Sequence, residues 1–239
     1  IYCIDASPDN SLAVIKSFDK VKYAVHESEL GIDGSLLKDG IRQLLLSRIQ
    51  DDFGYDGWIF PIHSDEIYHG KLEHLLEAAQ SEGANVVNTM IAHFVMHISE
   101  KPCALADQDM SKSITERRKW YFLGQCEVCG FKNQQNIYYN FFEHMRVLPH
   151  GINPVKTCSR VIIRRHYNCR YEEQIENRIR DRIARGWQPA YEAIKHNYYI
   201  SDPKQMITAG AIYSEVQKFD GVFKLDRTFD PDWAKEIIE

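Results

Sequence analysis

No stretch of this 239-residue chain approaches the roughly 18 consecutive apolar residues a membrane-spanning helix needs, so no span is expected. No secretory signal is expected either. The chain opens Ile1-Tyr-Cys-Ile-Asp5, which reads as a strand entered mid-domain rather than a secretory signal. There is no basic excess: the formal net charge is −5, which argues against a nucleic-acid binder. Repeats and low-complexity linkers are absent, and no domain break stands out. The remaining composition, 44% hydrophobic and 26% charged, is that of a globular protein with one sizeable core, or a core domain with a smaller appendage.

Cysteine is present at Cys3, Cys103, Cys126, Cys129, Cys158 and Cys169. With no secretion signal, these read as reduced thiols of a cytoplasmic protein, not a disulfide framework. Cys126-Glu-Val-Cys129 has the spacing of a zinc half-site. No second such pair follows to complete four ligands, and the alternative is two strand or core cysteines.

The first 96 residues alternate strand and helix signals. Ile1–Asp5 is a short apolar strand, and Ser11 is an N-cap for a helix carrying Leu12, Val14 and Ile15. Val21–Val25 is a second strand, and a helix follows from about Ser35 to Gln50, with Leu37, Ile41, Leu44, Leu45 and Ile49 at helical spacing. A strand from Trp58, a helix over Lys71–Glu82 closed by Gly83, and a strand over Asn85–Met96 complete this half. That rhythm predicts an α/β fold, with a mostly parallel sheet flanked by helices. Residues 117–165 read as β-rich, Tyr171–Arg185 as a helix, Ile207–Val216 as an apolar run, and the tail as a short helix from Pro231 capped by Asp230. The expected division is residues 1–96 against residues 97–239, two parts of one domain.

The segment Trp58-Ile-Phe-Pro-Ile-His-Ser-Asp-Glu-Ile-Tyr68 carries most of the functional signal. An apolar run stops in two adjacent carboxylates, Asp65 and Glu66, with His63 just before them. Burying an unpaired carboxylate is costly, so an acidic pair at a strand end suggests something bound there. In open α/β sheets, ligands lie outside the carboxyl ends of the strands. The plain alternative is that one acid only caps the next helix.

Together, the strand ending in Asp5, the Ser7-Pro-Asp-Asn-Ser11 loop, the helix with Arg42 and the acidic strand end resemble the family-2 glycosyltransferases of the GT-A fold. Trp58–Glu66 is similar to that family's Trp…Asp-Ala-Asp-Glu-Phe segment, and His166-Tyr167 to the His-Tyr of some members. The chain departs from the pattern at His63, which replaces the first acid, and lacks the strand and helix that usually precede the Asp5 strand. The resemblance implies a Rossmann-like GT-A sheet with a β-rich acceptor side and C-terminal helices. It implies transfer of a sugar from a nucleotide-diphosphate donor to a glycan, lipid-linked or protein hydroxyl, inverting and dependent on Mn²⁺ or Mg²⁺. Asp5, Arg42, Ser64 and Asp65 would bind the donor, with Asp5 on the base. Asp65 is the expected metal ligand, and His63 and His166 are further candidates because manganese accepts imidazole.

Inverting transfer needs a carboxylate to take the acceptor's proton. Glu127 lies in the acceptor-side region; Asp107, Asp109 and Glu116 compete with it, and the plain alternative is an exposed acid. Glu66 would position the donor sugar or brace its loop. His144 and His150 are weaker candidates. Arg160, Arg164, Arg165 and Arg170 could face a diphosphate, or form a solvated face paired with Glu172, Glu173 and Glu176. Two other function classes stay open: a metal-dependent hydrolase built from His63, Asp65, His69 and His166, and a noncatalytic nucleotide-sugar-binding module.

Overall fold

The computed structural model describes residues 1–31, 38–97, 111–140, 147–167, 177, 180, 199–200, 206–209, 212–215, 217–223 and 236–237. In chain order its elements are β1 (Tyr2–Asp5), α1 (Ser11–Lys16), β2 (Tyr23–His26), α2 (Lys38–Phe53), β3 (Trp58–Ile59), β4 (Glu66–His69), α3 (Leu72–Glu82), β5 (Val86–His97), α4 (Ile114–Arg117) and β6 (Trp120–Lys132). β7 (Thr157–His166), β8 (Tyr199–Ile200), β9 (Met206–Ala209), β10 (Ile212–Glu215), β11 (Gln217–Lys218) and β12 (Glu236–Ile237) follow. None of the described helices is long and apolar enough to cross a membrane.

The chain forms two compact units that interleave in sequence: Ile1–Pro61 with Gly130–Lys156, and Ile62–Cys129 with Thr157–Glu239.

In the first unit, β1 and β2 pair in parallel from Tyr2↔Tyr23 to Asp5↔His26. β3 pairs antiparallel with the last residues of β6, Trp58 against Lys132 and Ile59 against Phe131. The buried Asn133 ties this unit together. Its backbone N–H donates to the Gly57 carbonyl at 2.9 Å and its side-chain amide to the Gly54 carbonyl at 2.8 Å, satisfying loop carbonyls that helix and strand leave open. Gln43 of α2 accepts the Tyr139 N–H at 2.6 Å.

The second unit is built around β5, which lies between β6 and β7. β5 and β7 run parallel, with Asn88 opposite Val161 through to His93 opposite His166. β4 lies antiparallel on the far side of β7, and β12 adds in parallel at Arg160 and Val161. β11 is antiparallel to β6, while β9 and β10 form a separate antiparallel pair. α3 buries Leu75, Ala78 and Ala79, three and four residues apart and so on one stripe; Gly83 ends it in the left-handed region at φ 65°. One face of the sheet carries a core of Ala92, Phe94, Tyr121, Ile163, Tyr167 and Phe223.

This architecture overturns the mostly parallel, helix-flanked sheet expected for a GT-A-like, Rossmann-like fold. The described chain is sheet-rich with four helices, and antiparallel pairings hold β3, β4 and β11 in place. The physical reason lies in residues 120–132 and 157–166. Both are long, β-branched and aromatic, and they flank β5 directly as its two neighbours, in place of strands delivered by successive helical crossovers. Among the described residues, the early strands β1 and β2 pair only with each other.

Two local expectations change as well. The apolar run from Trp58 is not one strand ending in an acidic pair: β3 stops at Ile59, ahead of Pro61, which cannot donate to a ladder, and Glu66 begins β4. At the tail, Glu236–Ile237 is the strand β12 where a helix was predicted, because β7 offers an open edge at Arg160 and Val161. The helix predicted over 171–185 lies outside the described residues except for 177 and 180, which are helical.

Candidate functional site

Strand alternation sorts the second unit's polar residues onto two faces. In the β4–β7 register, Glu66 lies opposite His166, Ile67 opposite Arg165 and Tyr68 opposite Arg164. Side chains on a strand alternate, so Glu66, Tyr68, Arg164 and His166 share one face, and Ile67, His69 and Arg165 share the other.

On the first face, the turn ahead of β4 is closed by Glu66. Its N–H donates to the His63 carbonyl at 3.1 Å, and its Oε2 accepts the His63 N–H at 3.0 Å. This turn presents Asp65, whose carbonyl accepts the Tyr167 N–H at 2.8 Å. The Asp65 carboxylate Oδ2 then lies 3.5 Å from His166 Nε2, with the two side chains 22% and 18% exposed. His166 is the last residue of β7, so this pair sits at a carboxyl end of the parallel β5–β7 pair.

Below it, Arg164 is clamped by two carboxylates. Its Nη1 is 3.3 Å from Glu66 Oε2 and its Nη2 is 3.1 Å from Glu127 Oε2. Arg164 and Glu66 are buried, whereas Glu127 is 38% exposed and is the open member of the cluster.

His93 completes the arrangement. Its Nδ1 is 3.3 Å from His166 Nδ1, and its ring stacks on Phe122 with centroids 4.9 Å apart at 23°. Gly124 passes close by, and a Cβ there would sit 2.7 Å from His93 Nε2. Enclosure, then the neighbouring His166 and Arg164, push the His93 pKa down to about 3, so the ring is neutral at ordinary pH.

Asp65 and His166 fit a hard divalent cation that takes few protein ligands and keeps waters or substrate phosphates in its other positions. Their chemistry, one carboxylate and one imidazole, is compatible with manganese among other divalent ions. His63 is exposed and contributes its backbone to the Glu66 turn. Among the described residues, no group of three or more His, Cys, Asp or Glu side chains is set to hold a metal.

Ser64 is exposed beside Asp65. Asp5 and Arg42 belong to the first unit. Asp5 ends β1 and is buried; its Oδ1 accepts the Ser7 N–H at 3.3 Å, and its Oδ2 is enclosed with no hydrogen-bond partner among the described residues. Beside it, His26 Nε2 lies 3.2 Å from the Ser7 carbonyl. Arg42 is half-buried on α2.

Several weaker candidates have structural roles. Glu116 closes a capping box with Ser113 at the start of α4. His150 stacks on Tyr138 with centroids 5.1 Å apart. Asp107, Asp109, His144 and Arg170 lie outside the described residues. Cys126 and Cys129 sit on β6, where Cys129 is buried and donates toward the Val87 carbonyl at 3.5 Å. The four described cysteines are free thiols.

The basic group divides. Arg164 is buried among carboxylates, not solvated, and Arg165 lies on the opposite face over Phe219, 4.5 Å from its centroid. Neither the clamp role of Arg164 nor the presence of His93 was read from the sequence. Both depend on contacts between strands 37 to 98 residues apart in sequence, and the one available signal was the alternation within each strand.

No protein-family model matches the chain, and none of the curated proteins matches it.

Proposed function

We propose that this chain transfers a sugar from a nucleoside-diphosphate donor to a hydroxyl acceptor, with a divalent cation held by Asp65 and His166. The observation that carries this reading is the half-open carboxylate–imidazole pair, 3.5 Å apart, where β7 ends. Two protein donors leave the rest of a cation's coordination to water and to substrate phosphates. When bound, such an ion neutralises charge developing on a diphosphate leaving group.

The chain's own residues have separate tasks. Glu66 is committed to Arg164 and to the His63 N–H, so it braces the turn that presents Asp65. Glu127, more open and fixed by Arg164, is the group proposed to take the acceptor's proton.

A hydrolase with His63, Asp65, His69 and His166 as ligands is less well supported. His69 lies on the opposite face of β4, with its Nδ1 2.7 Å from Arg165 and its ring 5.1 Å from that of Phe223. The test is turnover with Mn²⁺, offering a panel of nucleoside-diphosphate sugars and, in parallel, p-nitrophenyl phosphate. Release of nucleoside diphosphate from one donor, lost in Asp65→Asn, is expected. Phosphate-ester cleavage with no action on any donor would replace this reading with the hydrolase.

A further inference from the structure

The hydrogen bond of His166 is made on the side away from Asp65. Its Nδ1 meets His93 Nδ1 at 3.3 Å, whereas its Nε2 stands off Asp65 at 3.5 Å, an ion-pair separation beyond ordinary N–H···O range. Joined Nδ1 to Nδ1, two imidazoles in the neutral form would share a single hydrogen, so the tautomer of one would dictate that of the other. If His166 carries it, its Nε2 is a bare lone pair beside Asp65. If His93 carries it, His166 is left with hydrogen on Nε2, and no lone pair faces Asp65.

We infer that His93 is a positioning residue: it accepts the His166 Nδ1–H and thereby holds His166 with its Nε2 lone pair beside Asp65, ready for a cation. This rests on the cation site proposed above. Ligating imidazoles are commonly fixed through their second nitrogen, most often by a carboxylate or carbonyl. Here the acceptor is a second imidazole, which in its neutral form adds no charge. Its ring is held by stacking on Phe122, and Gly124 leaves the space for it, since any side chain there would meet Nε2. The parallel register that sets His93 directly across from His166 supplies the alignment.

The experiment uses the full chain as wild type, His93→Leu and His93→Asn. Leucine removes the acceptor, whereas the asparagine amide oxygen can take the place of Nδ1. The first readout is the ring ¹⁵N spectrum of His166 without metal. Wild type and His93→Asn should carry hydrogen on Nδ1, and His93→Leu should shift toward the Nε2–H form. The second is Mn²⁺ affinity by electron paramagnetic resonance, expected to weaken about 10- to 100-fold in His93→Leu and to be largely restored in His93→Asn. An Nε2–H tautomer in the wild type, or spectra indifferent to the substitutions, would overturn the inference. If the wild type binds no Mn²⁺, the cation reading fails, and the ring spectra still decide the role of His93.

Discussion

Arg164 Nη1 lies 3.3 Å from Glu66 Oε2, with each side chain only 4% exposed, and the same guanidinium reaches Glu127. Removing one partner of such a buried pair strands the other charge, at a cost of about 3–5 kcal/mol. Arg164→Ala should therefore lose that much stability in urea denaturation. Glu127→Ala should lose less, about 1 kcal/mol, because Glu127 is partly exposed and Arg164 keeps Glu66. The double change Arg164→Met with Glu66→Leu should recover much of the loss, since an apolar pair carries no desolvation penalty. Equal losses for Arg164→Ala and Glu127→Ala would contradict this account of the cluster.

His93 gives stability a pH dependence of known sign. Its folded pKa, about 3, lies below the ordinary imidazole value of 6.5, so the unfolded chain binds the proton more readily. The contribution is whole above about pH 6.5 and is lost as pH falls toward 3, at up to about 1.4 kcal/mol per pH unit. His93→Asn should flatten that part of the stability profile. A parallel profile for the variant would place the neutral ring elsewhere.

Two glycines should differ in what an alanine costs. Gly83 and Gly151 both have positive φ, 65° and 89°, but only Gly151 has a neighbour in the way: a Cβ there would collide with the Asn136 carbonyl oxygen. Gly83→Ala should cost roughly 1–2 kcal/mol from backbone strain alone. Gly151→Ala should cost more, as a larger drop in the urea midpoint.

Much of the local structure was legible because it is written in short-range pattern. The stop at Gly83 marked the end of the helix expected over Lys71–Glu82, and the β-branched runs marked β5 and β7. Asp65, Glu66, Glu127 and His166 were all readable as candidates, and the second unit gathers them on one face. Sheet order was not readable. Whether β7 pairs with β4 or β5, and in which direction, depends on contacts between distant segments that no local window contains. For the same reason Arg164 looked like part of a solvated basic group. Its two carboxylates are 98 and 37 residues away.

Thiol reactivity follows burial. Enclosure pushes the Cys129 thiol up to about 12, and Cys158 is raised for the same reason, so neither offers appreciable thiolate at pH 8. Labelling of the native protein with iodoacetamide at that pH, read by peptide mass, should leave both unmodified while Cys126, half-buried, reacts faster. Rapid modification of Cys129 would mean that β6 opens in solution.

The central claim, a cation site at Asp65 and His166 that takes a nucleotide-sugar diphosphate, is tested most directly by calorimetry. A panel of nucleoside-diphosphate sugars would be titrated into the wild type, Asp65→Asn and His166→Ala, with and without Mn²⁺. The account predicts that one donor binds only with the metal and that both variants lose this binding while remaining folded. Donor binding that ignores Mn²⁺ and both substitutions, or no binding of any donor, would contradict it.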